Sequence, residues 1–233
     1  MGKRVLVAGG SGEVGNRLLQ HLIARNDVEQ IHLLNRHPQD INDHKIVQHQ
    51  IDFEHLDALD LQHNFDFSYC CLGSTIKQAG SKDAFEKIDL HYVQSFAQLA
   101  KRHHCRHFGV ISSVDAKTKT NNFYLHTKGR MEETLISMNW PALWIFRPSL
   151  LVGKRQEFRL TEKLAGFLMT LVSPLMLGPA KNYRPMPMDK LAQVMASAMD
   201  MPENKVQIVE NKQIEELAKR QVGQDINQQV PGL

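Results

Sequence analysis

The chain has little cysteine. Only Cys70, Cys71 and Cys105 occur in 233 residues. An odd count with two neighbours adjacent makes no disulfide framework, so reduced thiols and a cytoplasmic setting are expected. Charge of one sign is lacking too: the net charge is +3, too mild to imply a nucleic-acid partner. The longest apolar run, residues 164–178, is broken at Ser173-Pro174 and is short for a bilayer. No integral membrane segment is expected, and the run holds no basic residue to seat it on a membrane surface. The start, Met1-Gly2-Lys3-Arg4-Val5, has no signal-peptide core or cleavage pattern. Leu6 stands where a myristoylation signal needs Ser or Thr. Repeats and low-complexity tracts are absent. What is present is ordinary globular composition, 42% hydrophobic and 23% charged, in a chain long enough for one large domain with a buried core.

The first forty residues carry the strongest pattern. Residues 3–8 read as a strand buried on both faces. The run Gly9-Gly10-Ser11-Gly12-Glu13-Val14-Gly15 follows, then a helical stripe over 16–25 and a second strand over 30–34. Strand, glycine turn, helix and strand are the context a dinucleotide fingerprint requires. The glycines allow a tight turn, let backbone amides approach a pyrophosphate and let helix and strand touch, while the helix N-terminus offers free N–H groups. The run fits both Gly10-x-Gly12-x-x-Gly15 and Gly9-x-x-Gly12-x-x-Gly15. After the second strand an NAD site calls for an acid, but the chain has Asn35-Arg36-His37. Arg36 suits a 2′-phosphate through its planar fork, which points to NADP(H); His37 is a weaker phosphate candidate.

Strand and helix patterns continue to alternate: strands at 45–52, 67–72, 108–111 and 142–146, helices at 54–61, 84–102 and 123–138, and a polar turn at 79–82. That alternation predicts an α/β fold, a doubly wound parallel sheet of Rossmann type. Residues 1–233 read as a single NAD(P)-binding domain, with 1–150 as the core and 151–233 as a small substrate-covering and C-terminal segment. Within the latter, 154–162 is charged and 179–187 loop-like. A helix is expected at 188–199, a strand at 205–209 and a helix at 214–219. The Met-rich stretch 168–176 suits core, a homodimer contact or a substrate lid. Asp52-Phe53 ends the third strand; Asp52 can serve an adenine amino group or cap the next helix. Leu72-Gly73-Ser74-Thr75 ends the fourth, beside a cofactor ribose by topology. The run His103-His104-Cys105-Arg106-His107 lacks zinc spacing, and no metal is expected.

The sharpest chemical feature is Tyr124-Leu125-His126-Thr127-Lys128. Tyr124 and Lys128, at i and i+4, share one helix face, and an ammonium beside a phenol favours the phenolate. Ser112 or Ser113, ending the preceding strand, can hydrogen-bond a substrate oxygen. With the glycine run, Ile51-Asp52-Phe53-Glu54-His55-Leu56-Asp57, Cys70-Cys71-Leu72-Gly73-Ser74-Thr75, His107-Phe108 with the serine pair, and Phe146-Arg147-Pro148, the chain resembles short-chain dehydrogenases/reductases of the atypical group. It is most similar to the branch of Tat-interacting-protein-like oxidoreductases. The resemblance covers residues 1–160 and, more loosely, the remainder. It implies NADP(H) as cofactor, Tyr124 as acid/base, Lys128 as its electrostatic partner and ribose contact, and Ser113 rather than Ser112 on the substrate. It places Arg147, Pro148 and the next two residues near the nicotinamide. The usual asparagine of the long fourth helix is replaced, with Asp89 at that place.

Two functions follow as expectations. One is an NADP(H)-dependent oxidoreductase moving a hydride to or from a small carbonyl or alcohol substrate. The alternative is an NADP(H)-sensing regulatory protein with a protein partner and no turnover. The intact Tyr124/Lys128 pair favours the enzyme. An epimerase or dehydratase on a nucleotide sugar shares these residues but ordinarily has a larger substrate domain.

Overall fold

A computed structural model describes residues 2–153, 178–203 and 205–229. The charged stretch 154–162 and the Met-rich stretch 168–176, with its readings as core, lid or dimer contact, lie outside the described residues. So does the apolar run 164–178 except for Gly178.

In chain order the strands are β1 (Lys3–Ala8), β2 (Val28–Asn35), β3 (Ile46–Gln50), β4 (Phe67–Cys70), β5 (His107–Ile111), β6 (Ala142–Arg147), β7 (Leu151–Val152), β8 (Met186–Pro187) and β9 (Val206–Glu210). Seven of them form one sheet in the order β3-β2-β1-β4-β5-β6-β9, every neighbouring pair parallel. β7 and β8 pair separately. The doubly wound sheet is therefore as expected, and the region beyond residue 150 supplies its seventh strand.

Alternation along β1 builds two cores. Val5 and Val7 face one side, with Leu18, Leu19 and Leu22 of α1 (Glu13–Ile23) and Leu191, Val194 and Met195 of a helix at Met188–Ser197. Leu6 and Ala8 face the other, with Phe96 and Leu99 of a helix at Tyr92–Arg102 and Met131 and Leu135 of one at Phe123–Ser137. A strand covered on both faces has to read as a continuous apolar run, as β1 does. Between α1 and those helices lie α2 (Ile76–Ala79) and α3 (Lys82–Glu86), so the later ones are α4 (Tyr92–Arg102), α5 (Phe123–Ser137), α6 (Met188–Ser197) and α7 (Asn211–Gln229).

Three local expectations change. The helix at 54–61 shrinks to a single 3₁₀ turn, Phe53–His55; beyond it Leu56 and Leu61 are buried, Leu59 packs at the core's edge, and Gln62 turns left-handed at φ 54°. The polar turn at 79–82 is instead a junction: Gly80 closes α2 at φ 89° and the Ser81 side chain caps α3. The helix at 84–102 is interrupted by a π-helical turn, Lys87–His91.

His32, on β2, is a polar exception in the second core, with a ring only 1% exposed. Its Nδ1 lies 3.0 Å from His49 Nε2, and the His63 and Phe65 rings stand edge-on to it at about 5 Å. Burial, then the neighbouring His49, His63, Arg4 and His103, bring its pKa down from 6.5 to about 4. His49 is lowered too, by burial and then by His63. The folded state thus holds His32 neutral where the unfolded chain would protonate it. Its contribution is complete above pH 6.5 and is lost as pH falls from 6.5 towards 4. The expected loss is about 3 kcal/mol over that window. Urea unfolding at pH 7, 5.5 and 4.5 should show it, and His32→Leu should flatten the slope; an equal slope in the variant would exclude His32 as its source.

Candidate active site

The strand order reverses between β1 and β4, and in such sheets the ligand crevice opens at the carboxyl ends of the strands flanking the reversal. The glycine run lies there. Gly9 turns the chain at φ 81°, and Gly12 is the N-cap of α1 with no side-chain cap. The first-turn amides of α1 therefore keep their hydrogens for an anion. A Cβ on Gly15 would stand 2.2 Å from the Gly9 carbonyl oxygen, so helix and loop meet backbone to backbone. A Cβ on Gly12 would meet only that oxygen, at 3.3 Å. The fold asks little of Gly12; its bareness leaves a cradle open, which suits a pyrophosphate.

The other residues of the run have internal duties. Gly10 lies against Leu33, and Val14 is buried in the first core. Glu13 holds Arg17 at 2.8 Å. Ser11 and Gly9 border a cleft of about 220 Å³ whose other walls include Leu34, Asn35, Arg36, His37, Phe53 and Leu72. Its far end is basic. Arg36 is exposed and, among the described residues, its side chain has no ion-pair partner. Asn35 is buried and spent on Gln48 and Gln39. Phe53 stacks on Tyr92 and closes the cleft. Of the two roles open to Asp52, the cap is made: its carboxylate accepts from Glu54 N at 3.0 Å.

Beyond β4, Gly73 is exposed, Ser74 N donates to Asp89 Oδ2 at 2.9 Å, and Thr75 caps α2. Asp89 comes from the π turn and is fully buried. Its Oδ1 meets Lys128 Nζ at 2.7 Å, and the same ammonium donates to the Ile111 carbonyl at 3.3 Å. Lys128 is 3% exposed. Burial works against its charge, but Asp89 and then Tyr124 outweigh burial and hold its pKa above the ordinary value. Burial pushes the Asp89 carboxyl up. Tyr124, one turn before Lys128, is half-buried with its ring against Phe85 at 5.4 Å.

The serine pair divides. Ser112 is buried and donates to Glu132, whereas Ser113 is half-buried with no side-chain bond among the described residues. The Arg147 side chain is engaged within the protein. Its guanidinium binds both oxygens of Glu132, with Glu210 at 3.0 Å and the Ala116 carbonyl at 3.3 Å. Hydrogen bonds to Glu132, and then to Glu210, hold its pKa far up. Pro148 is buried and accepts from Val114 N. Arg147 and Pro148 thus brace the serine loop from behind, because a guanidinium in this half-buried position needs carboxylates and two lie within reach. Glu132 escaped sequence reading, although the stripe Tyr124, Lys128, Glu132 at steps of four was its signal. The run 103–107 is dispersed: His103 meets the His63 carbonyl, Cys105 meets Ser68, and His107 meets Glu203.

Residues 5–208 match the family described as "NAD dependent epimerase/dehydratase family". The chain belongs to that family. Within it, the chain is 35% identical to Protein HTATIP2 of Rattus norvegicus, over 70% of this chain and 69% of the relative, in line with the branch to which its motifs point. It is 29% identical to Protein FMP52, mitochondrial, of Debaryomyces hansenii, over 65% of this chain and 68% of the relative. The Bordetella bronchiseptica enzyme WbmG in complex with NAD shares the fold, with a TM-score of 0.64 at 12% identity, covering 100% of this chain and 81% of that one. This epimerase/dehydratase family member is thereby an NAD(P)-dependent, oxidoreductase-type Rossmann protein. The cytoplasmic expectation is overturned, since FMP52 relatives are named as mitochondrial. Few cysteines indicate reduced thiols, and that does not single out the cytoplasm. Among the described residues no helix is long and apolar enough to cross a membrane.

The two glycines give opposite tests. Gly12→Ser, a favoured N-cap residue, should stay within about 1 kcal/mol of wild type in thermal unfolding yet weaken dinucleotide binding at least tenfold by calorimetry. Gly15→Ala should cost about 1–3 kcal/mol from overpacking alone. Full affinity in a folded Gly12→Ser protein would remove the glycine loop from the site.

Proposed function

We propose that the chain is an NADP(H)-dependent oxidoreductase of the short-chain dehydrogenase type acting on a small carbonyl or alcohol. The observation that carries this reading is the ammonium of Lys128, buried beside Gly73, which follows Leu72 of the crevice wall, and one helical turn from Tyr124. A buried charge is costly and is retained where it has a task. Two of its three donors are engaged by Asp89 and the Ile111 carbonyl; the third is available for a ribose hydroxyl or the phenol.

The residues fit a dinucleotide along the crevice. The bare Gly12 cradle and the first turn of α1 would hold the pyrophosphate, and the cleft bordered by Phe53 and Leu72 the adenosine. Arg36 would pair with a 2′-phosphate. When bound, the nicotinamide supplies or accepts the hydride. Ser113 orients the substrate oxygen, Tyr124 moves the proton at that oxygen, and Lys128 steadies both phenol and ribose. The whole chain acts as one NAD(P)-binding domain, and the segment after residue 150 both completes the sheet and covers the substrate. Ser112, Arg147 and Glu132 position the serine loop.

NADPH should bind more tightly than NADH, and Arg36→Ala should erase about 1.5–3 kcal/mol of the difference; equal affinities in wild type would reject the NADP assignment. A screen of carbonyl compounds for NADPH oxidation should find turnover that Tyr124→Phe lowers about 10²–10⁴-fold with cofactor binding intact. Wild-type rates in that variant would reject the mechanism. NADPH binding without any turnover, coupled to a protein partner, would instead support the sensor reading.

A further inference from the structure

Among the described residues, Asp89 is a fully buried carboxyl beside the site that this mechanism leaves without a task. It reaches the site only because the π turn Lys87–His91 widens the helix between α3 and α4; such insertions recur at functional sites. Its side chain is 0% exposed and that of Lys128 4%. The carboxylate bonds the Ser74 amide through one oxygen and the ammonium through the other. The formal charges of this pair, one turn from Tyr124 on the Lys128 side, therefore sum to zero.

The other ionisable groups around the pair leave that balance intact. Cys70, on β4 behind Lys128, is pushed up to about 12 by burial and stays a thiol. Glu132, the next residue of the stripe on α5, is spent on Arg147 and Ser112. Glu86 of α3 is held by Arg130 at 2.5 Å. Lys82 lies over the Phe123 ring.

A lone ammonium beside a phenol stabilises the phenolate, so that the phenol gives its proton to solvent more readily and the residue serves as a base, as alcohol oxidation needs. A paired one leaves the phenol able to donate. We propose that Asp89 is a positioning residue that cancels the Lys128 charge, keeps Tyr124 in its proton-donating form, and so sets the site for carbonyl reduction rather than alcohol oxidation. The proposal rests on the oxidoreductase reading above. In the reduction, bound NADPH would supply the hydride, two electrons and one hydrogen, to the carbonyl carbon. The carbonyl π pair moves to oxygen, which takes the Tyr124 proton. Alcohol and NADP⁺ result, and water returns a proton to the phenolate.

The test needs no substrate. Tyrosinate absorbance is followed in an alkaline titration, over the range where circular dichroism shows the fold intact. Subtracting the Tyr124→Phe trace isolates Tyr124. The remaining tyrosines titrate high: Tyr69 and Tyr92 through burial first, Tyr183 through its bond to Asp115 first. Asp89→Asn should lower the Tyr124 midpoint by about one unit or more, the size of effect an uncompensated neighbouring charge exerts. Lys128→Met should raise it, and the double variant should return near wild type. An unmoved midpoint in Asp89→Asn overturns the proposal. Should Asp89→Asn fail to fold, the double variant, free of buried charge, is compared with Lys128→Met; equal midpoints overturn it as well. Wild-type NADPH calorimetry tests the oxidoreductase reading separately. Absent binding there sinks that reading, while the titration still reports whether Asp89 sets the charge on Tyr124.

Discussion

Asp89 and Lys128 sit 2.7 Å apart with almost no solvent between or around them, and much of the site is arranged to make that tolerable. Burying a lone carboxylate or ammonium costs several kcal/mol, and removing one partner of such a pair strands the other. Four elements are thereby tied together. The π turn delivers the carboxylate, α5 delivers the ammonium, the end of β5 adds the Ile111 carbonyl, and the loop after β4 is drawn in through Ser74 N. The pair thus anchors the loop beside the crevice and the helix that carries Tyr124 to the same point.

A second polar plate lies behind the first. Glu132 joins Ser112 to Arg147, and Arg147 reaches on to Glu210 and the Ala116 carbonyl. Among the described residues it leaves Ser113, rather than Ser112, with an unengaged hydroxyl. Further along, the buried Asn211 accepts from Ser149 N and donates to the Arg184 carbonyl, pinning the chain after β6 to the chain entering β8. The crevice is therefore shaped on one side by glycines and bare backbone amides, and on the other by fixed charges.

The sequence is most transparent where contacts are local. The glycine run, the apolar β1 and the pair Tyr124/Lys128 all lie within short windows, and each of their periods survives in the structure. Asp89 is harder: a π turn breaks the 3.6-residue stripe that identifies a helix, so periodicity hides which face the carboxylate takes. Arg147 is harder still, because its partner Glu210 is 63 residues away and only the pairing of β6 with β9 brings them together. Its Arg-Pro setting points to a place near a ligand, and nothing local announces the ion pairs that hold its side chain. At Asp52 both roles are legible, and the cap is the one a two-residue backbone contact makes in the structure.

The seventh strand adds a temporal dimension. β9 docks on β6 only after the chain has been made as far as residue 210, and its last residue, Glu210, supplies one of the carboxylates that hold Arg147. During synthesis, which exposes N-terminal segments first, β1 to β5 and the glycine loop can assemble while the serine loop still lacks its rear support. The nucleotide cradle therefore matures before the chemical end of the site does. The glycine loop is thereby ordered early, and the serine loop gains its rear support late.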